Sequence, residues 1–337
     1  MVSLSEVEAS NSLIPAYLSN LVAVFVGATS GIGETSLKQF AKLSIAPRIY
    51  FVGRSQEAGD RISAELKDLN AKGEYTFIKA DVSLIRVVDD VCRDIMSKEK
   101  AINVLFLSQG SLAARNQETA EGLHMLVSLS YYSRNRFIVN LLPLLRQATT
   151  IRRVVTVLAG GYEGPIIEDD FQAWKIPISQ SRGHQNSMAG LSLEAIAKNA
   201  PTVSFIHSFP GFVDTNLMRD TKGPMMFLLW LMARVMVPFM AVPSLEVGER
   251  HAFLLTSAKY PARSSGESGV PLANGIEVVR GTNGEIGSGV YSLNQLGESS
   301  GSKIEALLAE MRAEGMVEKL WSHTEEEYKR ITGVAAV

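Results

Sequence analysis

The chain has 337 residues, 46% of them hydrophobic, and a formal net charge of -2 at pH 7. It is long and apolar enough to bury a sizeable core, and its nearly balanced, scattered charge excludes nucleic acid as a partner. The single cysteine, Cys92, excludes an internal disulfide and a cysteine-based zinc site, so we expect no metal centre. Because the N-terminus also lacks the pattern of a secretory signal, we expect a cytoplasmic protein.

Through the first two-thirds of the chain, strand-like and helix-like patterns alternate. Residues 21–27 are almost entirely apolar, as expected of a strand buried on both faces, and they lead through glycines into a segment with helical spacing. Residues 48–53 begin the next unit, and the same rhythm continues to "TVSFIHS" at residues 202–208. Such alternation requires right-handed crossovers. The sequence therefore predicts an α/β fold with a doubly wound, Rossmann-like parallel sheet.

Beyond Thr215 the rhythm ends and the character of the chain changes. Residues 223–243 are apolar enough to raise the question of a membrane span, but Arg234 and Pro238 argue against one, so a buried helix or lid is favoured over membrane contact. A glycine- and serine-rich stretch then predicts loops, and a charged tail predicts helices split near Gly315. We predict a single domain over 1–337, with a dinucleotide-binding core (18–260), an apolar substrate-capping segment (215–243) and C-terminal loops and helices that form a cap (261–337).

The stretch "VFVGATSGIGETS" carries the cofactor signal. It places Gly27, Gly31 and Gly33 between the first strand and the first helix, where glycines allow a tight turn and close approach of the backbone to a ligand. The helix N-terminus presents free amides and a positive dipole to a phosphate group. We therefore predict a dinucleotide site that also includes the intervening residues Thr29, Ser30 and Ile32.

The residues that follow the next two strands bear on which dinucleotide binds. Arg54 ends the second strand, where an NAD site usually has a carboxylate, and an arginine there suits the 2′-phosphate of NADP(H). Its alternative role is that of a solvated surface residue. Asp81 follows the third strand, where it either contacts the adenine edge or caps the helix that starts near Ser83.

With these residues in place, the chain resembles the short-chain dehydrogenase/reductase family over residues 21–256. The resemblance is carried by "GATSGIG", by "ADVS", by "TAEGLHM" opening a long helix that ends "LLPLL", and by "SFPGFVDT". The C-terminal "GEIGSGVYSL" and charged tail are similar to members from fungal secondary metabolism. The resemblance implies that the nicotinamide cofactor is also contacted by Gly110, Pro210, Gly211 and Thr215.

The resemblance does not extend to the catalytic residues of that family. There a tyrosine protonates the substrate oxygen, a lysine four residues later holds the ribose, a serine orients the substrate, and an asparagine on the long helix anchors a water. Alignment places Ala159 at the serine, His184 at the tyrosine, Met188 at the lysine and Ser130 at the asparagine. Departures at so many proton-handling positions indicate a different mechanism.

Three side chains are candidate replacements near the expected substrate. His184 titrates in the neutral range and is the natural substitute acid, although it could instead fill space at a helix start. Arg134 lies one helical turn after Ser130 and could polarise a carbonyl group or simply pack. Tyr162 follows the loop at Ala159 and has an uncommitted phenol.

Three functions remain open on these observations. The first is an atypical NADP(H)-dependent oxidoreductase whose substrate is a small molecule, namely a bulky hydrophobic metabolite. The second is a non-redox cyclase or isomerase with a structural or vestigial NADP(H), because preorganisation of the substrate alone supplies several kcal/mol of barrier lowering. The third is a catalytically inactive NADP(H)-binding module. The sequence does not fix the oligomeric state.

Overall fold

The computed structural model describes residues 1–111, 117–213, 241–264 and 269–337. Within these ranges the chain forms a seven-stranded sheet, parallel throughout, with strand order β3-β2-β1-β4-β5-β6-β7. The strands are β1 (Val22–Val26), β2 (Arg48–Gly53), β3 (Glu74–Lys79), β4 (Val104–Leu107), β5 (Arg153–Val157), β6 (Ser204–Ser208) and β7 (Val290–Leu293). The sequence prediction of a doubly wound sheet is confirmed. The strand order reverses between β1 and β4, which opens a crevice at the carboxyl ends of the strands.

Helices cover both faces of this sheet. In chain order they are α1 (Leu4–Ser12), α2 (Ile14–Tyr17), α3 (Gly31–Leu43), α4 (Gln56–Leu69), α5 (Ile85–Lys98), α6 (Met125–Val127), α7 (Ser133–Gln147), α8 (Ile178–Lys198), α9 (Ser244–Thr256), α10 (Ser302–Ala313) and α11 (Met316–Thr332). A π-helical turn, Ser128–Tyr132, joins α6 to α7. Such turns occur often at functional sites, and this one lies just before Arg134.

The sheet is buried because both of its faces are apolar. Phe25 and Phe106 pack with Phe40 of α3 on one face, and Val24 and Leu105 pack with α5 and α7 on the other. Every residue of β1 is buried, as its continuous apolar sequence predicts. The sheet is therefore a rigid platform for the residues that follow its strands.

The N-terminal helices were not predicted from the sequence. Ser3 and Glu6 form a capping box that starts α1, since the Ser3 hydroxyl accepts from the Glu6 amide while the Glu6 carboxylate accepts from the Ser3 amide. The other end of α1 is tied to α9 by Asn11, whose amide donates to the backbone carbonyl of Glu249 at 2.8 Å and to its carboxylate at 2.6 Å.

The C-terminal helices pack against the core rather than extending from it. They are separated at Gly315, which has a φ of +72° and stands where the sequence predicts the split. Helix α11 packs on α8 and α5, and together with loop residues these helices bury a third apolar cluster that includes Tyr131, Tyr132 and Met188. Residues 332–335 then reach a buried ion pair between Arg136 and Asp89 (2.6 Å), where the Ala335 carbonyl accepts from Arg136 at 2.5 Å.

The apolar segment predicted at residues 223–243 lies almost wholly outside the described residues, and so does Thr215. Among the helices that the structure does describe, none combines the length and the hydrophobicity that crossing a bilayer requires.

Candidate active site

The turn between β1 and α3 has the form of a phosphate-binding turn. Gly27 and Gly31 have φ values of +77° and +56°, a region that favours glycine. Ser30 precedes the helix but its side chain makes no capping hydrogen bond, so the first amides of α3 stay available to a ligand. A Cβ on Gly33 would lie 2.3 Å from the Gly27 carbonyl oxygen. The close packing that a dinucleotide-binding turn needs is therefore present, and these residues fit the diphosphate of a dinucleotide.

The ends of β2 and β3 continue this side of the crevice. Gly53 leaves room for Thr29, since a Cβ on Gly53 would lie 2.3 Å from the Thr29 methyl carbon. Arg54 follows with an exposed side chain. The Oδ1 atom of Asp81 accepts from the Ser83 amide (3.1 Å) and hydroxyl (2.8 Å), so Asp81 orders the turn before α5.

Beyond the turn, Arg134 is buried between the carboxyl ends of β4 and β5. Its guanidinium donates to the Thr156 hydroxyl (2.7 Å) and to the carbonyls of Val157 (2.8 Å) and Gln109 (2.6 Å). These acceptors are neutral, and burial lowers the pKa of Arg134 to about 9, which leaves it protonated at neutral pH. Arg134 thus places a fixed positive charge under this edge of the sheet.

Alignment predicts that α8 presents His184 and Met188 to the edge of the sheet, but the structure places a different pair of residues there. The Oδ1 atom of Asn186 accepts from the Ala159 amide (3.1 Å) and from Nε2 of His207 (3.0 Å). One turn earlier, the Arg182 guanidinium lies over the Tyr162 ring, 3.6 Å from its centroid. Arg182 and Asn186 are thus the residues four apart that face the loop after β5. Sequence reasoning missed them, although Arg-x-x-x-Asn has the same spacing as His-x-x-x-Met.

His184 lies on another face of α8, against the loop that precedes this helix. Its Nδ1 atom accepts from the Ile167 amide at 3.1 Å, which leaves Nε2 to donate to the Phe171 carbonyl at 3.2 Å. Burial lowers the pKa of His184, and this outweighs the opposing effects of the Phe171 carbonyl and of the Asp170 carboxylate. A neutral imidazole with both nitrogens bonded to backbone acts as a brace for the loop. The geometry does not support its predicted role as an acid.

Replacing His184 by phenylalanine tests this brace. We expect the free energy of unfolding near pH 7.5 to fall by about 1–3 kcal/mol, because two buried backbone groups lose their partners. The rate of product formation should change little. The wild-type advantage should be complete above the unfolded-state pKa of 6.5 and shrink as the pH falls through it, because the unfolded chain then binds a proton that the folded chain rejects. Urea unfolding of both proteins at several pH values measures the difference, and a gap that widens on acidification would contradict the brace.

Ser130 and Met188 are also placed away from the sheet edge. The Ser130 hydroxyl donates to the Leu126 carbonyl (2.8 Å) and to the Gln185 side chain (2.7 Å), which links the π-helical turn to α8. Met188 is fully buried in the third apolar cluster. The long helix therefore contributes Arg134, not Ser130, to the ends of β4 and β5.

Aromatic side chains form an exposed wall beside Arg182. Tyr162 is 43% exposed and Phe212 is 55% exposed, with Phe209 between them at centroid distances of 5.0 and 6.0 Å. Arg182 also lies 5.4 Å from the Phe209 centroid. The wall stands at the carboxyl ends of β5 and β6, beside Pro210 and Gly211, and Gly211 has a φ of +82°. Large exposed apolar rings at a strand-end crevice are suited to bind an apolar ligand.

Five buried polar side-chain atoms of the described residues have no hydrogen-bond partner and lie at this same edge. They are Gln109 Oε1, Arg134 Nε, Glu163 Oε2, His207 Nδ1 and Ser208 Oγ. Glu163 was not singled out from the sequence. It lies beside Tyr162, accepts from Ser292 at 2.5 Å, and has its pKa raised by burial. Unsatisfied buried groups of this kind are rare away from ligand or water sites.

Comparison with known proteins agrees with the fold and the turn. The family model for short chain dehydrogenases matches residues 21–152. The oxidoreductase AN1596 of Emericella nidulans is 43% identical over 331 residues, which cover 96% of this chain and 97% of that protein. The oxidoreductase andH of Emericella variicolor is 36% identical, with 99% of each chain covered.

Among solved structures, similarity is confined to the fold. The NADP active-site complex of RhlG from Pseudomonas aeruginosa superposes with a TM-score of 0.52 at 20% identity, covering 77% of this chain and 97% of that one. An alcohol dehydrogenase from Thermococcus sibiricus in complex with 5-hydroxy-NADP gives 0.54 at 20% identity, covering 75% and 95%.

Proposed function

Because this chain belongs to the short-chain dehydrogenase/reductase family, we propose that it is a cytoplasmic NADP(H)-dependent oxidoreductase that acts on a bulky hydrophobic metabolite without the family's tyrosine and lysine. The observation that carries the proposal is the pair Arg182 and Asn186, which α8 holds at the strand-end crevice across from an intact glycine turn. The similar fungal proteins named as oxidoreductases support the reaction class.

The chain's own residues divide the work of holding the cofactor. Gly27, Gly31 and Gly33 give the diphosphate access to the amides at the start of α3. Arg54 is free to pair with a 2′-phosphate, since its side chain is exposed at the end of β2. The bound nicotinamide supplies or accepts the hydride.

Arg182 polarises the substrate in this proposal. Negative charge develops on the carbonyl oxygen as the carbon accepts hydride, and a guanidinium positioned for that oxygen stabilises the charge. Because arginine stays protonated, the proton that completes the alcohol comes from water or from the substrate itself. Asn186 accepts hydrogen bonds from the Ala159 amide and the His207 ring, and so orders the residues that would contact the substrate from below.

The substrate class follows from the aromatic wall. Tyr162, Phe209 and Phe212 offer flat apolar surface, with one cation at its edge. A polycyclic or prenylated ketone from fungal secondary metabolism would place its ring system on the wall and its oxygen near Arg182.

A second candidate function, a non-redox cyclase or isomerase, is favoured by the same pair. Neither Arg182 nor Asn186 gives up a proton near neutrality, so this pair can polarise an oxygen but cannot protonate one. In that case NADP(H) would be structural or vestigial.

One assay separates these functions. The purified protein is incubated with NADPH and a panel of polycyclic terpenoid and polyketide ketones, and nucleotide absorbance and product mass are followed together. One NADPH consumed for each product heavier by two hydrogens supports the oxidoreductase. An isomeric product formed without nucleotide loss replaces it with the second function. Failure of the protein to bind NADPH would contradict the oxidoreductase and leave only a cyclase or isomerase with a vestigial nucleotide site.

A further inference from the structure

Arg134 is a buried cation without a counter-charge among the described residues. Its side chain is 3% exposed, it donates only to a hydroxyl and two carbonyls, and its Nε atom has no partner. Burying a charge in this way is costly unless something offsets it. A second buried arginine, Arg153, offers a comparison. It is also fully buried, with carbonyl partners at Leu254 (2.7 Å) and Ser257 (3.1 Å), but it stands at the amino end of β5.

The position of Arg134 distinguishes it from Arg153. Its Nη2 atom lies 3.9 Å from the position that a Cβ would take on the exposed Gly110, in the loop that follows β4. The charge of Arg134 also acts on the neighbouring His207. Burial lowers the pKa of His207 to about 3, and the charge of Arg134 contributes to this lowering. Arg153 is separated from Val157, the carboxyl end of β5, by the whole length of that strand.

The order of the strands indicates which half of a bound dinucleotide would lie near Arg134. The diphosphate turn follows β1, and Arg54 and Asp81 follow β2 and β3, so the adenosine half lies toward that side of the sheet. A dinucleotide that spans the switch point extends its other half across β4 and β5. The nicotinamide half is therefore the half nearest to Arg134.

We propose that Arg134 makes the site distinguish the oxidation states of its cofactor, holding NADPH more tightly than NADP⁺. This inference rests on the proposed function for the presence of the cofactor. The nicotinamide ring is positively charged when oxidised and neutral when reduced. A fixed cation in a region of low dielectric therefore raises the free energy of the oxidised complex alone. Because the charge is buried, added salt screens it weakly.

The test measures the dissociation constants of NADPH and of NADP⁺ for the full-length protein, by NADPH fluorescence and by competition. For the wild type we expect NADP⁺ to bind at least about tenfold more weakly than NADPH. This ratio should stay within about twofold between about 0.05 M and about 0.5 M sodium chloride. A ratio near one, or one that collapses with salt, would overturn the proposal without any variant.

Matched variants locate the effect. Arg134→Met should bring the ratio to within about threefold of one, because the fixed charge is removed. Arg153→Met removes an equally buried arginine and should leave the ratio unchanged. If Arg134→Met keeps the wild-type ratio, or Arg153→Met loses as much of it, Arg134 is not responsible. A wild type that binds both forms equally refutes this inference alone, while one that binds neither refutes the proposed function as well.

Discussion

Replacing Arg182 by glutamine is expected to lower the rate of product formation by roughly a hundredfold, the usual effect of removing one group that stabilises charge on a substrate oxygen. NADPH affinity should change little, because the cofactor-holding turn lies at the other side of the crevice. The exposed side chain also predicts that the free energy of unfolding stays within about 0.5 kcal/mol of the wild-type value. Steady-state rates with the ketone panel, NADPH titration and urea unfolding measure these three quantities.

Arg182→Lys is the matched control for this prediction. Lysine keeps the charge but lacks the planar group that stacks on Tyr162, so an intermediate rate is expected. If the glutamine variant retains the wild-type rate while binding NADPH normally, Arg182 does not polarise the substrate and the proposed mechanism is wrong.

Replacing Gly33 by alanine is expected to weaken NADPH binding by about tenfold or more and to destabilise the fold by about 1–3 kcal/mol. The new methyl group would lie 2.3 Å from the Gly27 carbonyl oxygen and 2.9 Å from the Ala28 Cα atom. The Ser108 hydroxyl, at 2.5 Å, can rotate away, but the other two atoms belong to the backbone of the phosphate-binding turn. The turn itself must therefore move. NADPH titration and thermal unfolding report the two effects.

Gly190→Ala provides the corresponding control. Gly190 is a buried glycine within α8, and outside the neighbouring residues and backbone of that helix no atom lies within 4 Å of the position its Cβ would take. Alanine is favoured over glycine inside a helix, so this variant should be neutral or more stable by up to about 1 kcal/mol and should bind NADPH normally. Equal loss of NADPH affinity in both variants would mean that the Gly33 effect is not local to the turn.

The sheet and the turn could be predicted because their signals are local. Apolar strands, glycines with a fixed place between strand and helix, and a glycine between two helical segments each indicate structure over a few residues. The first residues of α1 and α8 were harder to predict from the sequence. The capping box at Ser3 and Glu6 is a local signal that could have revealed α1.

The register of α8 could not be predicted from spacing alone. His184 with Met188 and Arg182 with Asn186 are both pairs four residues apart, and they differ by two positions, which is roughly 200° around a helix. Only tertiary packing chooses between them, since Met188 fills the apolar cluster beneath α11 while Asn186 meets the Ala159 amide. The role of Arg134 was likewise open, because its carbonyl partners at Gln109 and Val157 come from two different strand ends.

The contact between the Arg136–Asp89 ion pair and the C-terminal residues delays the completion of this fold during synthesis. Arg136 also donates to the Ala335 carbonyl, 199 residues further along the chain. At ordinary rates of translation those residues follow by roughly ten to forty seconds. During that time the surface of α5 and α7 is exposed, because α11, which covers it, has not yet been synthesised. Tyr131 and Tyr132 are exposed for the same reason. The nascent chain thus exposes an apolar and charged surface for longer than a fold closed by local contacts would, and we expect its yield in a foreign host to rise with added chaperones or at low temperature.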